Sequence, residues 1–130
     1  MLNECFRVMR SGGVVRTTTP SISFLIRLCV ADRTQLEDQY VAWAAASMQP
    51  PAPAPLAAYV VNNFVRGWGH QFIYDRPSLT LALTRAGFAN VTECKVLESR
   101  HAMLRNLEDV PRLPPGFLEL ESMVLEATKP

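Results

Sequence analysis

Apolar positions change period several times along this chain, and each change marks an element. Leu2, Cys5, Phe6 and Met9 recur at the three-and-four spacing of one helical face, which predicts a helix over residues 2–10. Ser11, Gly12 and Gly13 stop it, because glycine supplies the left-handed closing conformation and a tight turn. Residues 14–19 (Val-Val-Arg-Thr-Thr-Thr) are mostly β-branched and predict a strand that stops at Pro20, which has no N–H for a ladder. A helix running straight into such a strand is the second part of a crossover. A crossover presupposes a parallel strand before it, and that strand is expected to lie upstream of residue 1.

Helical spacing returns beyond Pro20. Ile22, Leu25, Ile26 and Cys29 form one apolar face, and Asp32 is the expected cap of a following helix through Leu36, Tyr40, Trp43 and Met48. Residues 49–55 contain four prolines and are expected to form a surface loop, a stiff connector within a single domain spanning residues 1–130. Leu56, Tyr59, Val60, Phe64 and Val65 mark another helix, broken by Gly67 and Gly69. Asp75 should cap a helix over residues 76–86, with Pro77 in its first turn and Leu79, Ala82, Leu83 and Ala86 buried, closed by Gly87. Strands are expected over residues 90–97 and 118–128. The intervening segment is too long for a tight hairpin and predicts a short helix at residues 103–109.

The opening run Leu2-Asn3-Glu4-Cys5-Phe6-Arg7-Val8-Met9-Arg10-Ser11-Gly12-Gly13 resembles the Leu-x-Glu-x-x-Arg-Val-Leu-Lys-Pro-Gly-Gly segment of class I S-adenosylmethionine-dependent methyltransferases, which leads from the fourth helix into the fifth strand. Gly69-His70-Gln71-Phe72-Ile73-Tyr74-Asp75, followed by Leu79, Leu83, Ala86, Gly87, Phe88 and Val91, is similar to the stretch preceding the sixth strand in small bacterial members. Glu98-Ser99 and the closing residues 125–130 also look like that group. Ser11 and Ser21 depart from its usual proline and aspartate. The resemblance implies an α/β fold, a partial Rossmann-like methyltransferase: a three-stranded mixed sheet in local order 5-7-6, flanked by helices, with the N-terminal cofactor-binding strands missing. In that order residues 14–19 and 90–97 flank residues 118–128. The first strand should then expose an edge open to strand addition or self-association.

Composition narrows the function. Thirteen Lys plus Arg against twelve Asp plus Glu give a net charge of +1, so no charge field points to nucleic acid or an anionic membrane. Apolar runs are too short, or interrupted by Arg27, to span a bilayer. Cys5, Cys29 and Cys94 lie outside any metal-ligand spacing and read as reduced, buried thiols, and residues 1–10 lack a signal-peptide pattern; a cytoplasmic protein is expected.

Methyl transfer demands alignment of an acceptor and, for a hydroxyl or amine, removal of a proton. His70, among loop formers and polar groups, suits either a general base or a hydrogen bond that fastens its loop. Arg16, near the C-terminal end of its strand, suits either a substrate contact or a structural ion pair. His70, Tyr74 and Arg16 are the candidate acceptor contacts. Tyr40 with Trp43 reads as core, His101 as a surface histidine, and no metal ligands are expected. No Gly-x-Gly-x-Gly turn follows a strand, so S-adenosylmethionine is expected as the cofactor of the complete family enzyme and not as a tight ligand of this chain alone. Two functions remain: the acceptor-side half of a small-molecule or saccharide methyltransferase, inactive in isolation, or a non-catalytic, truncated or sheet-completing module that binds a partner chain.

Overall fold

The last strand is the most buried element of the sheet. A computed structural model describes residues 1–108 and 112–130. β3 (Ser122–Thr128) pairs along its whole length with β1 (Val14–Pro20) on one side and, from Val124 onward, with β2 (Ala89–Cys94) on the other. The order is β1-β3-β2 and both pairs are antiparallel. This corrects the mixed sheet expected above: β3 runs against both neighbours, so neither ladder of the sheet is parallel, and the one parallel pairing among the described residues is an isolated bridge between Ser21 and Tyr74. Counted along this chain, β1-β3-β2 also replaces the borrowed 5-7-6 label.

Met123, Leu125 and Ala127 face one side of the sheet, where α1 (Leu2–Val8) and α5 (Arg76–Arg85) cover them with Phe6, Leu79 and Leu83. Phe6 meets Phe88 edge-on at 5.1 Å. It also lies so close to Gly87 that a Cβ there would sit 2.8 Å from the ring, at a φ of +103°. Lys129 donates to the carbonyls of Phe6 and Met9 at 2.7 and 2.9 Å, so the chain's end caps the helix at its start.

A second core lies beyond the C-terminal end of β1. It is built by α2 (Ile22–Leu28), α3 (Gln35–Ser47), α4 (Ala57–Asn62), a π-helical turn (Asn63–Gly67) and Phe117 of α6 (Phe117–Glu121). Phe24, Tyr40 and Phe64 form its aromatic centre, with Phe24 edge-on to Tyr40 at 4.9 Å. The buried face of α2 is therefore Phe24, Leu25 and Leu28, while Ile26 and Cys29 are exposed. The larger ring turns the helix away from the face expected. None of the three cysteines is fully buried, although all are free thiols.

Several boundaries move for identifiable reasons. α1 ends at Val8. Thr34, not Asp32, caps α3 through a reciprocal capping box with Glu37, and Asp32 instead takes Arg27 at 3.0 Å. Asp75 does cap α5, its carboxylate accepting from the Ser78 N–H at 2.8 Å. β1 includes Pro20, because even-numbered residues point their backbone groups away from β3: Ser21 donates to Glu121 while Ile22 donates outward to Tyr74. A proline nitrogen at that outward edge forfeits no bond to β3.

β2 stops at Cys94, after a register shift at Asn90, whose φ is 53°. Residues 118–121 are helical rather than extended, since Leu120 donates to Gly116, whose φ of +83° starts the turn. Within residues 103–109 the described part is a 3₁₀ turn, Ala102–Leu104, and Asp109 lies outside the described residues. Residues 49–55 carry no helix or strand, and no described helix is long and apolar enough to cross a membrane.

Candidate functional site

The two cores leave a cleft of about 750 Å³ where the helical layer meets the polar face of the sheet. Arg16, Thr18 and Pro20 of β1 form one wall, Trp43, Phe64 and Trp68 the other, and Glu121 lies between them. His70 and Arg112 complete it. The cleft therefore opens at the C-terminal end of β1.

The sheet wall is held by a buried ion cluster. Val124 and Glu126 point to the face opposite Leu125, and Arg16 lies directly across from Glu126 in the β1–β3 register. The Arg16 guanidinium donates to Glu126 at 2.7 Å, to Glu108 at 2.8 Å, and to the carbonyls of Glu98 and Lys95 at 2.9 and 3.2 Å. All three charged side chains are at most 7% exposed. Burial alone would raise the Glu108 carboxyl, but Arg16, the Leu97 N–H and the Thr18 hydroxyl outweigh it and bring the group down to about 2. Glu126 is lowered in the same way, with burial overcome by Ser99 and Arg16. Arg16 is thus fully engaged within the protein, and it ties residues 95–108 to the sheet.

The helical wall holds a histidine in one orientation. The π turn displaces the usual bonding by one residue, so that Trp68 donates to Asn63 and the Phe64 carbonyl is left for His70 Nδ1 at 2.9 Å. A carbonyl only accepts, so Nδ1 carries the proton, and in the neutral ring Nε2 is the remaining acceptor. The imidazole also stacks on Phe64 with centroids 5.9 Å apart. Gly67 leaves room in this turn for the Asn63 carboxamide, whose oxygen lies 2.0 Å from where a Cβ would be, so a larger residue there would push that side chain aside.

Glu121, at the end of α6, is 6% exposed. The buried Tyr40 hydroxyl donates to one of its oxygens. The other oxygen has no hydrogen-bond partner among the described residues, and Glu121 lines the cleft. Burial pushes the Glu121 carboxyl up, against the opposing pull of Tyr40, Arg112 and His70. Burial and the neighbouring carboxylate likewise raise the Tyr40 phenol, which stays protonated and remains a donor.

The expected site residues are thus divided. His70 and Arg16 line one cleft. Tyr74 does not: its side chain packs in the core beneath the sheet and against Phe72 at 4.6 Å, while its backbone bridges to Ser21. His101 is exposed beside a second hollow of about 600 Å³ along β2, and no group of His, Cys, Asp or Glu among the described residues is arranged to hold a metal. Trp43 packs against Tyr40 at 5.7 Å and lines the cleft as well.

Glu121, Glu108 and Arg112 are absent from the sequence-derived candidates. Glu121 carried a signal: a carboxylate set among Phe117, Leu118, Met123 and Val124 is a charge inside an apolar run. Glu108 had none, since its role depends on how its loop folds over β1. Comparison of this chain with protein-family models, curated proteins and solved structures finds no match.

Proposed function

We propose that the chain is the acceptor-side half of an S-adenosylmethionine-dependent methyltransferase, with a small-molecule acceptor seated in the cleft at the end of β1. The observation that carries this reading is the position of His70. Its Nδ1 is pinned by the Phe64 carbonyl, its remaining nitrogen is an acceptor, and it lines a cleft at the strand end where doubly wound sheets bind ligands. In this reading His70 takes the proton that an acceptor hydroxyl or amine loses, and Trp43 and Trp68 exclude water from the acceptor. Arg16 keeps the sheet wall rigid rather than touching the acceptor, and Tyr74 supports the loop that carries His70.

The described residues do not themselves fit adenosylmethionine. The Gly12–Gly13 turn precedes β1, whereas a turn that cradles the cofactor follows a strand. A separate cofactor half is therefore part of the proposal, paired along the outward edge of β1. The backbone groups of Val14, Arg16 and Thr18 point that way, and among the described residues β1 has no second ladder. The same edge favours the alternative reading, a non-catalytic module that completes another chain's sheet.

Calorimetry with adenosylmethionine separates the two. The chain alone is expected to give no saturable heat, and a fusion that supplies the four preceding strands of a class I methyltransferase ahead of Met1 is expected to bind the cofactor and methylate an acceptor. Tight binding by the chain alone contradicts the division into halves, and a fusion that binds cofactor but methylates nothing favours the non-catalytic module.

A further inference from the structure

The cleft presents acceptors at its inner end. Glu121 offers the carboxylate oxygen that Tyr40 leaves free, and His70 offers Nε2, because Nδ1 is committed to the Phe64 carbonyl. A ligand must therefore enter with a hydrogen-bond donor foremost, since two acceptors facing an anionic or acceptor group would leave buried polar atoms unpaired. Charge selects further. Arg16 is neutralised by Glu108 and Glu126, and Arg112 is exposed, so its charge is screened by water. Glu121 is the buried charge of the cleft without an ionic partner among the described residues.

The walls favour the same choice. Trp43, Phe64 and Trp68 line the cleft, Phe64 and Trp68 being edge-on at 4.5 Å, and aromatic faces beside a carboxylate attract an organic cation. We infer that the cleft binds a small amine as its ammonium ion, the nitrogen donating to Glu121 and His70 and the apolar part lying against the two tryptophans. As an assignment of the methyl acceptor this rests on the methyltransferase reading above. As a binding site it stands without it.

Both tryptophans of the chain line this cleft, so their two indole N–H resonances report on it directly. The experiment is a ¹H–¹⁵N titration of the whole chain at about pH 8, where benzylamine is an ammonium ion and benzoate an anion, with benzylamine, benzyl alcohol and benzoate as probes. Benzylamine should shift both indole signals saturably, and benzoate and benzyl alcohol should bind at least about tenfold more weakly. Glu121→Gln should weaken benzylamine by about tenfold, and by more than it weakens benzyl alcohol, whose hydroxyl makes no ion pair with Glu121. That variant keeps an acceptor for the Tyr40 hydroxyl, and an unchanged far-UV spectrum confirms its fold. Benzoate binding as well as benzylamine, equal binding of benzylamine by Glu121→Gln, or no saturable shift would each overturn the assignment. No adenosylmethionine is present, so failure here removes the amine site and leaves the methyl-transfer reading to its own test.

Discussion

Glu121 and Glu108 are two partly or fully buried carboxylates of one cleft with opposite titration behaviour. For Glu121 the folded state raises the carboxyl above its ordinary 4.5. Below that pH the group is neutral in both states and costs nothing. As pH rises the unfolded chain ionises first, so stability falls until the folded group has ionised too. Glu121→Gln is neutral throughout. It should therefore melt higher than the wild type at pH 7, with the difference vanishing near pH 4, as read by thermal unfolding across that range. Equal melting at both pH values would mean that the carboxyl is not held in a desolvated setting.

At the scale of elements, the Arg16 cluster joins β1, β3 and the segment 95–108. Removing Arg16 leaves two carboxylates buried without a partner, which generally costs about 3–5 kcal/mol. Arg16→Met should show a loss of that order in urea unfolding, and a loss below about 1 kcal/mol would show that the cluster opens readily to water. The Glu108 carboxyl, at about 2, lies below its ordinary 4.5, so its contribution is complete above 4.5 and lost as pH falls toward 2. Acid unfolding of the wild type should steepen in that window, and Glu108→Gln should flatten it.

The element scale also shows what was legible in the sequence. α1, α3 and α5 and the three strands followed from periodicity, glycine stops and the Asp75 cap, because those signals are local. The helix at residues 117–121 did not. Leu118-Glu119-Leu120-Glu121 alternates like a strand, and a Gly116 turn beneath Leu36 overrides the pattern. The cleft was half legible: His70 and Arg16 stood out as polar residues at a loop and a strand end. Its carboxylates did not, because their roles come from contacts over 81 and 92 positions of sequence, Tyr40 to Glu121 and Arg16 to Glu108.

At the scale of the whole molecule, the sheet has a closed centre and an open side. β3 is flanked by two partners, and β1 offers outward backbone groups at Val14, Arg16 and Thr18. Strand addition at this edge is the expected mode of association, whether with a cofactor half or with a second copy. Thr18→Pro deletes one outward N–H and the hydroxyl's bond to Glu108 but no bond to β3, so it should reduce concentration-dependent association in sedimentation velocity while the far-UV spectrum stays unchanged. Undiminished association would place the contact elsewhere. The central claim, that this cleft serves the acceptor in methyl transfer, is tested most directly in the fusion with a cofactor half. The measurement is methyl transfer to an amine with and without His70→Ala, alongside adenosylmethionine affinity. The account expects transfer to fall by about a hundredfold or more with cofactor affinity unchanged. Equal transfer by the two proteins would contradict it.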